Sequence, residues 1–202
     1  MNKVILFFLF LSLIFTVSCN KSEKQQDMVL NQETQGNNAT IKIVDLTGIF
    51  NSRYTLKISE KKVLLSQRKP IVMMTFFSPF SPSSLAQMHH LNRLQKTYHK
   101  NMFTVAFSNK IEDKKLLDLV TNNNFNYFFV KSTKETLTLS TQLMQNINKK
   151  DTNIRPLTII YLKGVYFSHY QGIIPPEMIE FDINEALKIL KSQKKESQGF
   201  HV

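Results

Sequence analysis

Apolar and polar positions divide this chain into short elements of two periods. Ile71-Val72-Met73-Met74-Thr75-Phe76-Phe77 is apolar on both faces that a strand presents. That pattern predicts a central strand covered on both sides. After Ser78-Pro79-Phe80-Ser81-Pro82-Ser83-Ser84, the residues Leu85, Met88, Leu91, Leu94 and Tyr98 recur at helical spacing. Ser81 suits the N-cap of that helix and Pro82 its first turn. Met102 to Phe107 reads as a second buried strand. Glu112 to Val120 reads as a helix with Leu116, Leu117 and Val120 inward. Phe125 to Val130 is strand-like, and Thr133 to Ile147 carries a helix. Pro156 to Leu162 and Val165 to Tyr170 form a hairpin around Lys163-Gly164. Pro175 and Pro176 open a last helix through Met178, Ile179, Ile183, Leu187 and Leu190. Upstream, Thr40 to Leu46 reads as an edge strand, with Ile41, Ile43 and Val44 as its apolar positions. Tyr54 to Ile58 and Lys62 to Leu65 read as two more strands. Strands alternating with helices in this order predict an α/β sandwich with a mixed sheet flanked by helices.

The first forty residues follow a different pattern. Lys3 precedes an apolar run from Val4 to Val17, broken only by Ser12 and Thr16. The run is shorter than the roughly 20 apolar residues of a transmembrane helix and suits a signal-peptide core. It ends in Thr16-Val17-Ser18-Cys19, which resembles the cleavage and lipidation site of bacterial lipoproteins, with Thr16 where an aliphatic residue is usual. The resemblance implies removal of residues 1–18 and lipidation of Cys19. Each buried methylene contributes about 0.8 kcal/mol, so several acyl chains anchor stably. Residues 19–39 are the lipidated cysteine and a polar tether rich in Gln and Asn. Such a segment cannot bury enough surface to offset its ordering entropy. The expected domain is 40–195, with a tail at 196–202. The implied location is the cell envelope, lipid-anchored and facing the periplasm.

Composition changes this picture in two ways. The formal charge is +11, and loss of residues 1–18 removes only Lys3, leaving +10. Scattered lysines in a chain also rich in Asn, Ile and Phe fit nucleotide bias first and attraction to an anionic membrane second; a nucleic-acid partner is not expected of an exported protein. The second point is cysteine. Cys19 is the only one in the chain, so no intramolecular disulfide can form.

The order of elements and several motifs resemble thioredoxin-like proteins of the TlpA/ResA type, membrane-tethered thiol-disulfide oxidoreductases. The resemblance covers about residues 54–190. Phe76-Phe77-Ser78-Pro79-Phe80 matches the aromatic segment that ends the family's buried strand. Ser81-Pro82-Ser83-Ser84 takes the place of Cys-X-X-Cys, and Ala86, Met88, His90 and Leu91 follow as on the family helix. Ile154-Arg155-Pro156-Leu157-Thr158 matches the family's cis-proline motif, and Gly172 with Pro175-Pro176-Glu177 its closing strand and last helix. The resemblance implies a thioredoxin-like fold with Ser81 at the attacking position and Ser84 at the resolving one.

The family reaction needs a thiolate to attack a disulfide and a second thiol to release it. A serine hydroxyl does neither. Ser81 and Ser84 are therefore expected to be degenerate, non-catalytic positions, with no cofactor. Serine catalysis would need an oriented base, and nothing in the sequence sets His89, His90, His99, His169 or His201 beside Ser81. His89 and His90 are expected at the surface or core edge rather than on a metal. Met73, Met74 and Met88 fit the core rather than a copper site. Lys188, Lys191, Lys194 and Lys195 complement the end of the last helix. The leading expectation is a redox-inactive module that binds an envelope protein or an extended peptide in a groove lined by Phe77, Phe80, Ser81, Ser84, Arg155 and Pro156. The alternatives are a thiol-disulfide oxidoreductase-family role in cytochrome c or envelope thiol maintenance, and a purely structural lipoprotein.

Overall fold

A computed structural model describes residues 41–109, 111–147 and 156–198. The leader, Cys19 and the tether lie outside the described residues, as do Arg155 and the end of the tail. Three short strands, β1 (Lys42–Thr47), β2 (Arg53–Ile58) and β3 (Val63–Leu65), form an antiparallel sheet in that order. The remaining elements are β4 (Ile71–Phe77), α1 (Pro82–Tyr98), β5 (Met102–Ser108), α2 (Asp113–Asn122), β6 (Phe128–Val130), α3 (Lys134–Ile147), β7 (Leu157–Leu162), β8 (Val165–Gln171) and α4 (Pro176–Gln198). The five later strands form a mixed sheet of order β6-β5-β4-β7-β8. β4 pairs parallel with β5 and antiparallel with β7.

Central β4 is buried along its whole length. Successive side chains of a strand point to opposite faces. Val72, Met74 and Phe76 pack with Val44, Leu46 and Leu56 of the small sheet and with Leu139 and Leu143 of α3. On the other face, Ile71 and Met73 meet Leu91 and Leu94 of α1 and Ile179 and Ile183 of α4. Phe77 meets Met88, Leu116, Val120 and Phe129. Burying one such large side chain stabilises the fold by about 1.5–3 kcal/mol. α3 begins with a reciprocal cap. The Thr136 amide donates to Thr133 Oγ1 at 3.1 Å, and the Thr133 amide to Thr136 Oγ1 at 2.9 Å.

Four expectations need correction. In β1 the inward residues are Val44 and Leu46, while Ile41 and Ile43 face solvent, because the register Val44↔Leu56 points the other set away from the core. In α2, Leu116 and Val120 are buried but Leu117 is 37% exposed, since it stands about 100° round the helix from Leu116. β6 starts at Phe128, not Phe125. Asn124 has φ +52°, and the Asn126 amide donates to Asn92 Oδ1 at 2.9 Å instead of to a neighbouring strand. α4 continues to Gln198, past the expected domain end at 195.

The parallel strands give the domain two distinct ends. The loops after β4, β5 and β6 and the start of β7 lie at one. The turns before β4 and β5, the β2–β3 turn and the β7–β8 turn lie at the other.

Candidate functional site

The candidate site grows from the end of β4. Its last pair with β7 is Phe76↔Leu157, so one step further in antiparallel register stand Phe77 and Pro156. Phe77 is fully buried and packs edge-on to Phe129 with ring centres 6.0 Å apart. The chain then turns at Ser78, with the Ser81 amide donating to Ser78 O at 3.1 Å, and enters α1.

Ser81 is the N-cap, with φ −94° and ψ 122°. Its Oγ accepts from the Ser84 amide at 3.4 Å and lies 2.7 Å from Ser83 Oγ. Ser84 is fully buried, and its Oγ accepts the Ser78 amide at 3.1 Å. Ser78 Oγ in turn accepts from Asn109 Nδ2 at 2.8 Å, which ties the turn to the end of β5. Both serine hydroxyls thus serve backbone amides: Ser81 caps the start of α1, and Ser84 holds the Ser78 amide of the turn that precedes it. Phe80 stands out from the turn, 79% exposed. The turn from Ser78 to Ser84 carries no charged residue.

Sequence reasoning named His90 and Gly172 at this end but did not single out Gln87 or Ile173. Gln87, one turn into α1, is buried, and its Oε1 accepts the Ile174 amide at 2.9 Å. His90 Nδ1 donates to Ile174 O at 3.2 Å. The Gly172 amide donates to Pro156 O at 2.7 Å. α1, the loop after β8 and the start of β7 are thereby joined, and Ile173 between them is 50% exposed. Gly172 has φ +80°, a conformation that glycine adopts without strain. That glycine was the available sequence signal for an exposed bend here. Gln87 Nε2 is buried with no partner among the described residues.

The structure brings Phe77, Ser81, Ser84 and Pro156 to one end of the sheet, with Phe80 beside them in the chain. Of the described histidines, none bonds to Ser81 or Ser84. His89 lies 4.9 Å from the Phe125 ring, His99 Nδ1 donates to Lys96 O, and His169 Nδ1 is bonded to the Tyr166 hydroxyl. A serine without a base is a poor nucleophile. Met73, Met74 and Met88 are buried in the core, and no cluster with metal-ligand composition occurs among the described residues. Nearby, Glu177 is held below the usual carboxylate range, first by a backbone amide at the start of α4 and then by Arg93, 3.2 Å away.

The fold matches many solved structures. A thiol:disulfide interchange protein of the thioredoxin family from Chlorobium tepidum TLS superposes with a TM-score of 0.57 at 12% identity, over 76% of this chain and 99% of that one. The fold is thioredoxin-like. StoA from Bacillus subtilis gives 0.52 at 10% identity, over 72% and 99% of the two chains. A secreted Mycobacterium tuberculosis disulfide oxidoreductase homologous to Escherichia coli DsbE gives 0.50 at 10% identity, over 70% and 95%. No protein-family profile matches the chain, and no curated protein does. At these identities the likeness concerns the thioredoxin-like fold alone, which hosts thiol-disulfide oxidoreductases among these neighbours.

Proposed function

We propose that this protein is a redox-inactive thioredoxin-like lipoprotein of the bacterial cell envelope that binds an extended peptide or an unfolded stretch of a partner. One observation carries the reading: the helix start that a thiol pair would occupy holds Ser81, which caps the helix, and Ser84, which holds the preceding turn, and that uncharged turn exposes Phe80. A buried serine accepting a backbone amide has no free role in electron transfer. An exposed Phe80 and an exposed Ile173 at the same end of the sheet offer apolar side chains to an extended segment. Arg155 belongs to the proposed surface by its place next to Pro156 in the sequence. Lipidation at Cys19, the envelope location and the lack of catalysis are parts of the same proposal.

The test is binding of short apolar peptides followed by amide chemical shifts. Perturbations should cluster at Ser83, Ile173 and Leu157, and Phe80→Ala should weaken binding about fivefold or more, an effect of about 1 kcal/mol. Shifts confined to another face, or an unchanged affinity, would refute the groove.

The thioredoxin-like fold also keeps a second reading in play, a role in envelope thiol chemistry. The single cysteine rules out a two-cysteine cycle within the chain. Insulin reduction by the parent protein would establish that second reading and overturn ours. The variant Ser81→Cys/Ser84→Cys should form an internal disulfide and acquire the turnover that the parent lacks.

A further inference from the structure

The end of the domain opposite Ser81 is far more basic than the chain as a whole. Segments 59–69, 96–100, 163–164 and 185–195 carry eleven lysines and arginines against two acidic residues, Glu60 and Glu185, the latter paired with Lys188. Hydrogen bonds tie these segments into one surface. Lys69 Nζ donates to Lys100 O at 3.0 Å, the Lys163 amide to Pro70 O at 2.7 Å, the Val63 amide to Gly164 O at 2.8 Å, and Lys163 Nζ to Gln193 Oε1 at 2.6 Å. The C-terminal half of α4 adds Lys191, Lys194 and Lys195 along its exposed side. At the Ser81 end, segments 78–84, 111–115, 131–135 and 171–177 hold four acidic residues and four lysines, and so balance. The charge is therefore polar along the strand axis, which nucleotide bias does not explain.

Three observations say what this pole faces. The first is where the chain enters. β1 begins at Lys42, which is level with Ile58 on β2, and Ile58 is level with Val63, whose amide bonds to Gly164. The described chain therefore begins at the basic pole. The second is a cavity of about 280 Å³ between the β2–β3 turn and the β7–β8 hairpin, with Lys61, Lys62, Ile147, Tyr161 and Tyr166 among its lining residues. The third is apolar surface among the charges. Ile43 is 61% exposed and stands in register with Lys57 and then Leu64, and Val165 is 47% exposed beside Tyr166. Lysines interleaved with exposed aliphatic and tyrosine side chains suit a headgroup layer, which offers phosphate outside and hydrocarbon beneath. A nucleic acid offers phosphate without such a hydrocarbon layer.

We infer that the basic pole docks on anionic phospholipid, so that the domain lies with Lys61, Lys62, Lys69 and Lys100 on the membrane and Phe80 directed away from it. The inference rests on the lipid-anchor reading for its geometry. The 21 residues from Asn20 to Thr40 reach at most roughly 70 Å when extended, so the anchor alone leaves orientation open. The charges select one orientation. Attraction of this kind is worth about 1 kcal/mol per lysine near the surface, a fivefold change each, and is screened within a Debye length of about 8 Å at physiological salt.

The full chain, purified from bacterial membranes, is reconstituted in vesicles of phosphatidylcholine alone or with about 30% phosphatidylglycerol, a content that gives the surface its negative potential. A thiol-reactive fluorophore is placed at Glu60→Cys in the basic pole or at Glu112→Cys near Ser81, against a headgroup-bound quencher. The Glu60→Cys probe should be quenched at least threefold more than the Glu112→Cys probe in the anionic vesicles only. The difference should vanish at about 0.5 M salt, where screening is nearly complete, and should fall about twenty-fivefold in affinity with Lys61→Gln/Lys62→Gln. Equal quenching at the two sites, or a difference indifferent to lipid charge and salt, overturns the inference. The parent chain is labelled in parallel. Fluorophore on Cys19 means a free thiol and sinks the anchor reading. Cosedimentation of the unlabelled chain then decides the pole: salt-sensitive binding to the anionic vesicles upholds it, and equal binding to both kinds overturns it.

Discussion

The two ends of this domain are built from the same strands but by opposite means. At the Ser81 end neutral polar groups are turned inward: Ser84 holds the Ser78 amide, Ser78 holds Asn109, and Gln87 holds Ile174. What that end leaves outside is Phe80 and Ile173, together with charges that pair with one another, Arg93 with Glu177, Lys115 with Glu112 and Lys131 with Asp113. At the other end the charges are turned outward on turns and on the end of α4. Internally satisfied polar groups fix backbone geometry, because a buried donor left without a partner costs about 1–3 kcal/mol. Exposed lysines fix little geometry but set a field. The first end is therefore held rigid by its own hydrogen bonds, and the second carries an unbalanced positive field.

Mutations that break this contrast should differ in size in a set order. Phe129→Ala removes the ring on which Phe77, Phe125 and Tyr127 rest, and should cost about 3–5 kcal/mol in chemical denaturation. A smaller loss would mean that the floor of the Ser81 end is loosely packed. Next comes a buried group at the basic end. Tyr161 has its pKa pushed up to about 12, first by burial and then by Tyr166. Its ordinary value is 10.0, so the unfolded chain releases this proton before the folded one does. The stabilisation is complete below pH 10 and is lost as pH rises toward 12, by roughly 3 kcal/mol. Tyr161→Phe should flatten that part of the stability–pH curve; an unchanged slope would show that this tyrosine is not the cause.

Ser84→Ala should cost about 1–3 kcal/mol, because it leaves the Ser78 amide without an acceptor. Ser81→Ala should cost less, about 0.5–1 kcal/mol, since its cap bond is long at 3.4 Å. Equal effects in thermal melts would contradict the idea that the resolving-thiol position has become the structural one. Smallest of all are Phe80→Ala and Lys62→Gln, each expected to move stability by no more than about 0.5 kcal/mol, as exposed side chains do. Larger shifts for either would mean that the residue supports the fold rather than faces a partner.

Much of the fold was legible in advance because period and burial agree along most of the chain. The continuous apolar run at Ile71–Phe77 could only be a strand covered on both faces, and it is one. The helical recurrence from Leu85 to Tyr98 and the Ser81-Pro82 start give α1. The errors fall where several apolar residues compete for one buried face. Ile41, Ile43, Val44 and Leu46 fit two strand registers, and only pairing with β2 chooses Val44 and Leu46. Leu116 and Leu117 likewise differ only by helix rotation. At the candidate site, Ser81, Ser84 and Pro156 were visible as motif positions. Gln87 and Ile173 were not, because a lone glutamine and a lone isoleucine carry no pattern until the loop after β8 is laid against α1.

The sequence by itself determined the strand and helix inventory, and it determined that the chain contains a single cysteine and so cannot run a two-thiol cycle. Those properties are local or are simple counts, and no folding can alter them. Only the tertiary structure decided that eleven of the lysines and arginines gather at one end, because they lie on four segments that meet only when β4 pairs with both β5 and β7. It also decided that both serines serve backbone amides, since a hydroxyl's partner is set by the turn that presents it rather than by its neighbours in the chain.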